Sequence, residues 1–228
     1  MANVIFVSGN CGKSIFSYYL AKQFADEGKR TVVLFTDREK TATDLFYSKR
    51  FSANCSLGRL LSLPKMEKDD VFTHLLVLDD RFGYLSYQQR ESDMNYPKVT
   101  RRQVNDLLGV LEDICDQVIV DSEGALNRID RYLLELTNPT VIQITTADRR
   151  GISYRACARQ TDEEIPVLLE LCQNHPTADV LRTFSSRPYR LPLCKELRRI
   201  YNDLEITDIK MPKGYRKLFE KLREDGRL

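Results

Sequence analysis

Short apolar runs alternate along this chain with longer segments whose apolar residues recur every three or four positions. Val4-Ile5-Phe6-Val7 opens the series and reads as a buried strand. It runs into Ser8-Gly9-Asn10-Cys11-Gly12-Lys13-Ser14, a turn rich in small residues. Ile15, Phe16, Tyr19, Leu20 and Phe24 then recur at helical spacing, and Gly28 supplies a helix stop. Thr31-Val32-Val33-Leu34-Phe35 is a second continuous strand. Strand, glycine loop, helix and strand in succession make a βαβ unit, which implies a parallel sheet covered on both faces.

The alternation continues with a third strand at Leu75–Leu78, then a polar stretch from Asp79 to Pro97 that has no clean period. Val104 to Ile114 reads as a helix, Val118–Asp121 as a strand, Ile129 to Leu136 as a helix and Val141–Ile144 as a strand. From Arg150 to Cys172 the pattern predicts mostly helix, restarted near Pro166, and Val180–Phe184 predicts a sixth strand. Leu197 to Tyr201 and Tyr215 to Leu222 read as closing helices. The expected fold is a doubly wound α/β domain, with a mostly parallel sheet, helices on both faces and ligands at the C-terminal edge of the strands. One domain spans 1–228, ending in a basic helical segment over 194–228.

Composition narrows the function classes. A chain of 228 residues that is 42% hydrophobic and 30% charged can bury a core, which excludes a disordered chain. Thirty-five basic against thirty-three acidic residues leave a net charge of +2, too balanced for a dedicated nucleic-acid coat. Residues 187–228 hold twelve basic and seven acidic side chains, so the surplus sits at the C-terminal end. Six scattered cysteines and two histidines lack zinc-site spacing and read as reduced thiols in a cytoplasmic protein. The apolar run at the N-terminus is far shorter than the ~20 residues of a membrane span.

The candidate chemistry lies in the first glycine loop. Gly12-Lys13-Ser14 at the start of a helix, directly after a strand, is the core of a phosphate loop. In such a loop the backbone N–H groups cradle phosphates, the lysine reaches the β- and γ-phosphates and the serine hydroxyl ligates Mg²⁺. The candidate nucleotide-binding residues are therefore Gly9, Asn10, Cys11, Gly12, Lys13, Ser14 and Ile15. The first glycine of the G-x-x-x-x-G-K-[ST] pattern falls on Val7, so the match is partial. The alternative reading is a glycine turn that only ends a strand. Val118-Ile119-Val120-Asp121 delivers a carboxylate at a strand end, which pairs Asp121 with Ser14 as candidate metal ligands. Asp37 and Glu39, at the exit of the second strand, are candidate catalytic residues that position a hydrolytic water; a solvated charged turn is the alternative.

Together these residues resemble the MinD/ParA family of deviant Walker ATPases, over Val4–Asp44, Val104–Thr146 and loosely Leu191–Leu197. The family loop K-G-G-x-G-K-[ST] corresponds to Ser8 through Ser14, its D-x-D-x strand end to Asp37 and Glu39, and its second switch to Ile119 through Gly124. The resemblance implies ATP and Mg²⁺ as cofactors, an ATP-dependent homodimer and a role in positioning cargo. That cargo is a plasmid or chromosome, a division regulator, or a secretion or pilus complex such as TadZ-type members serve. The signature lysine falls on Ser8 and the catalytic aspartate on Glu39, which implies slow or absent hydrolysis, a weak ATPase at most. The competing classes are a non-catalytic P-loop scaffold and a P-loop metabolic ligase or small-molecule kinase.

Two basic segments bear on partners. Tyr215, Leu218, Phe219 and Leu222 form an apolar stripe flanked by Lys213, Arg216, Lys217 and Lys221, which reads either as a membrane-surface helix or as a terminal helix packed on the sheet. Arg187, Arg190, Arg198 and Arg199 read either as a nonspecific DNA contact or as a solvated face.

Overall fold

A computed structural model describes residues 2–37, 45–46, 55–88, 91, 95–122, 127–157, 164–170, 177–195, 197 and 206–228. The strands are β1 (Asn3–Gly9), β2 (Thr31–Phe35), β3 (Leu76–Asp79), β4 (Phe82–Ser86), β5 (Gln117–Asp121), β6 (Thr140–Thr146), β7 (Ile165–Leu169) and β8 (Tyr189–Leu191). The helices are α1 (Lys13–Asp26), α2 (Leu57–Leu61), α3 (Lys68–His74), α4 (Arg101–Ile114), α5 (Arg128–Leu136), α6 (Arg149–Cys157), α7 (Thr177–Leu181) and α8 (Lys213–Glu224).

The strands form one sheet in the order β3-β4-β2-β5-β1-β6-β7-β8. Every pairing is parallel except β3 with β4. Strand alternation sorts the apolar runs onto two faces. Ile5, Val7, Val33, Phe35 and Ile119 pack with α1 and α8, while Val4, Phe6, Val32, Leu34, Val118 and Val120 pack with α2, α4 and α5. Because both faces are covered, the central strands carry unbroken apolar runs and no polar side. The expected doubly wound, mostly parallel α/β architecture is the one observed.

Local signals account for several boundaries. Helix α4 starts where Thr100 and Gln103 cap each other, with the Thr100 amide donating to Gln103 Oε1 at 2.8 Å and the Gln103 amide donating to Thr100 Oγ1 at 3.4 Å. Its buried positions, Val104, Leu107, Leu108, Leu111 and Ile114, are the helical face that the sequence spells out. Strand β1 runs between β5 and β6, with Val7 opposite Asp121 and Gly9 opposite Ile144. The turn after β1 therefore opens at the C-terminal ends of three adjacent strands.

Three expectations need correction. Among the described residues, the segment read as helix from Arg150 to Cys172 holds α6 and also strand β7, with Pro166 as the second residue of that strand. The ladder to β8 begins one residue later, at Val167 opposite Tyr189, so the missing Pro166 N–H interrupts no bond to that strand. Val180–Phe184 is no strand: Val180 and Leu181 end helix α7, and the chain then turns. The supposedly irregular stretch after Asp79 contains β4, which pairs with β2 and makes β3 an antiparallel edge strand. The predicted helix at Leu197–Tyr201 lies mostly outside the described residues.

Candidate functional site

Gly9 ends β1 where a side chain has no room, since a Cβ there would lie 2.5 Å from the Ile144 carbonyl oxygen. Asn10 then ties the turn to β6. Its Nδ2 donates to Thr146 Oγ1 at 2.6 Å and its Oδ1 accepts from the Thr146 amide at 3.0 Å. Thr146 Oγ1 donates in turn to Asp148 Oδ1 at 2.6 Å, an oxygen that also accepts from the Gly151 amide in the first turn of α6. Gly12 adopts φ +76°, a left-handed conformation that favours glycine, and α1 starts immediately after it without a side-chain cap. The amides of Lys13, Ser14 and Ile15 belong to that first turn, where a helix has no internal acceptor for them.

Lys13 turns inward. Its Nζ lies 3.0 Å from Asp121 Oδ1 and 3.2 Å from Asp37 Oδ2, and 5.5 Å from the centre of the Phe35 ring. Burial works to lower the lysine pKa, but the two carboxylates outweigh it and hold the ammonium protonated above its usual range. Asp121 is fully buried; burial pushes its carboxyl up, against the opposing pull of Lys13 and the Ser14 hydroxyl. Its second oxygen, Oδ2, is buried without a hydrogen-bond partner. Two buried acids thus flank one lysine at the foot of the loop.

A second polar cluster sets the spacing of those acids. Asp130 on α5 is fully buried and accepts from Thr36 Oγ1 at 2.5 Å and from Ser122 Oγ at 2.6 Å. Thr36 directly precedes Asp37, and Ser122 directly follows Asp121. Asn127 closes the cluster, donating to the Thr36 carbonyl at 2.8 Å and accepting from the Asp130 amide at 2.8 Å. The Thr36 amide also donates to the Asp121 carbonyl at 3.2 Å.

The structure thus brings together Gly9, Asn10, Cys11, Gly12, Lys13, Ser14, Ile15, Asp37 and Asp121. Glu39 lies outside the described residues, as do Glu123 and Gly124. Asn10 uses its side chain to hold the loop to β6. Sequence reading missed Thr36, Asn127, Asp130 and Thr146, which have partners distant in the chain, and Asp148, which joins them through Thr146. It also missed Tyr154 of α6, whose hydroxyl meets the side chain of Ser8, the position where the resembling family carries lysine. The membrane-helix reading changes as well: Tyr215, Leu218, Phe219 and Leu222 are buried, and Phe16 of α1 packs edge-on against Phe219 at 5.2 Å. No described helix is long and apolar enough to cross a membrane.

The donor set fits a hard divalent cation. A buried carboxylate with one unpaired oxygen beside a serine hydroxyl offers the oxygen ligands that Mg²⁺ prefers. The uncapped α1 terminus and Lys13 fit an anion beside it. Asp121 and Ser14 are the residues that would hold the metal, and Lys13 with the loop amides would hold phosphate oxygens.

No family model and no curated protein sequence matches the chain. Solved structures match over nearly its whole length. A ParA family ATPase from Chlorobium tepidum superposes with a TM-score of 0.78 at 12% identity, covering 97% of this chain and 98% of that one. A plasmid partition protein from Borrelia burgdorferi bound to AMPPNP gives 0.67 at 15% identity, covering 97% and 99%. The septum site-determining protein MinD from Pyrococcus horikoshii, complexed with Mg-ADP, gives 0.66 at 14% identity, covering 99% and 96%. At these identities the likeness establishes a shared fold, that of the ParA/MinD P-loop ATPases.

Proposed function

We propose that this chain binds ATP with Mg²⁺ and acts as a nucleotide-gated positioning or partitioning factor, dimeric when ATP is bound, with slow or absent hydrolysis. The observation that carries the reading is the unpaired, buried Oδ2 of Asp121 at the foot of an uncapped helix-start loop that bears Lys13 and Ser14. Adenine rests on the company the fold keeps, since neighbours of that fold hold AMPPNP and Mg-ADP.

When bound, Mg²⁺ would be held by Ser14 and Asp121 and would offset the charge of the phosphates. The protein's own groups do the rest. The amides after Gly12 orient the phosphates, and Ser14 and Asp121 hold the metal through oxygen. Lys13 exchanges its contacts with Asp37 and Asp121 for phosphate oxygens, a movement that frees the two acids. Asp37 would orient a hydrolytic water, a role the reading shares with Glu39, which lies outside the described residues.

Slow turnover follows from Ser8. Where a lysine would bring positive charge to the transferring phosphoryl group, a neutral hydroxyl faces Tyr154. Loss of such a donor costs about 10³-fold in rate at comparable sites. The same substitution favours a second reading, a P-loop scaffold that has lost turnover while keeping the fold. Light scattering with and without ATP and Mg²⁺, alongside phosphate release, separates the two. The proposal expects a monomer-to-dimer shift that precedes any phosphate release; an unchanged mass with nucleotide saturated would overturn the gated-dimer part of it. DNA or an anionic membrane remains a candidate surface, and its stimulation of phosphate release is read in the same assay.

A further inference from the structure

At the edge of the sheet opposite the phosphate loop, a groove of about 550 Å³ opens between β8 and α8. Arg187, Arg190, Lys217, Lys221 and Arg227 line it, against one carboxylate among the described residues that line it, Asp225. Arg190 shares its charge with Glu170 at 3.5 Å, whereas Arg187 and Lys217 have no ion pair among the described residues. Lys221 lies 5.6 Å from the centre of the Tyr189 ring, and the Tyr189 hydroxyl donates to Asp225 Oδ2 at 2.7 Å. The floor is apolar, formed by the buried Pro166, Pro188 and Leu218. This arrangement is independent of whether the loop after β1 takes nucleotide.

From this geometry we infer a docking site for an acidic segment of a protein partner, in which carboxylates surround an apolar side chain. The cationic rim recognises the carboxylates, and the apolar floor takes the side chain, which loses water-exposed surface on entry. Asp225 gives the segment's backbone N–H groups an acceptor. A duplex phosphodiester backbone uses only the cationic rim of this arrangement, since it brings no apolar side chain to bury on the proline and leucine floor. Helix α8 turns its other face onto α1, so the occupied groove abuts the helix that starts at the candidate phosphate loop.

Fluorescence anisotropy tests this with a labelled short peptide of Glu and Asp around a central Leu, a second peptide with Ala in place of that Leu, and a duplex oligonucleotide. The wild-type chain is expected to bind the Leu peptide saturably, with affinity falling as salt rises. Binding should fall about tenfold with the Ala peptide and at least about tenfold in the Arg187→Glu/Lys217→Glu variant. An Arg101→Glu/Arg102→Glu variant, with the same charge change on α4, should keep wild-type binding. Equal binding of both peptides, equal losses in both variants, or binding of duplex DNA in place of peptide would each overturn the inference. Circular dichroism on each variant shows that a loss is not one of folding.

Discussion

Thr36 and Asp130 stand 94 positions apart in sequence and meet through a 2.5 Å hydrogen bond at the end of β2. The other Asp130 oxygen takes the Ser122 hydroxyl, so one buried carboxylate fixes the distance between the segments that carry Asp37 and Asp121. An amide cannot accept from both hydroxyls at once. Asp130→Asn should therefore cost about 1–3 kcal/mol in urea unfolding. It should also weaken nucleotide binding more in the presence of Mg²⁺ than in its absence, because the metal needs Asp121 in place. Equal losses in both conditions would reduce Asp130 to a purely structural role.

Arg155 is buried with Glu164, Gln143 and the Phe184 ring around its guanidinium. Truncating it strands a carboxylate in the core, so Arg155→Ala should destabilise the fold by about 3–5 kcal/mol. Replacing both charges, as Arg155→Met/Glu164→Leu, should recover most of that loss in the same unfolding assay. A double variant no better than the single one would contradict this account of the pair.

Glu91 gathers the Tyr96 hydroxyl at 2.5 Å, the Ser56 hydroxyl at 2.8 Å and the Gln88 amide at 2.9 Å, with Arg59 at 3.8 Å. Burial pushes its carboxyl up, but these partners outweigh burial and hold it below the usual range. The unfolded chain thus takes up the proton first as pH falls past the ordinary value of ~4.3, and the stability that Glu91 contributes above that value is lost as pH drops through its lower folded value. Glu91→Gln should be less stable than wild type at neutral pH and lose less on acidification. Parallel pH–stability curves for the two proteins would exclude this role.

Cys11 and Cys157 are exposed, whereas burial pushes the Cys115 thiol up to about 12. Iodoacetamide at mildly alkaline pH should modify the first two and spare Cys115. Nucleotide at about ten times its Kd should slow modification of Cys11 roughly tenfold and leave Cys157 unchanged. Peptide mass spectrometry reads each rate separately, and equal protection of both cysteines would point away from the loop.

The central strands and α4 were legible because both faces of the sheet are buried and apolar runs then mark strands directly. Gly12-Lys13-Ser14 and Asp121 stand out in the sequence as candidates because one opens a helix just after a strand and the other ends a strand, and the fold brings Lys13 to Asp121. Strand β4 escaped since Phe82-Gly83-Tyr84-Leu85-Ser86 mixes glycine and serine into a run that is buried throughout, so neither continuity nor alternation betrays it. Pro166 disguised β7, and the short apolar spacing of Val180, Leu181 and Phe184 fits a strand as well as the helix end it forms. The clamp of Asp130 and the Asn10–Thr146 tie join residues that only the folded sheet brings together, and no local pattern encodes them.

Calorimetric titration of ATP with Mg²⁺ into the wild-type chain and its Lys13→Ala and Asp121→Asn variants tests the central reading most directly. The account predicts saturable binding by the wild type, about 10- to 100-fold weaker binding by Lys13→Ala, and loss of the Mg²⁺ dependence in Asp121→Asn. No binding by the wild type up to about 1 mM ATP, or binding indifferent to both substitutions, would contradict it.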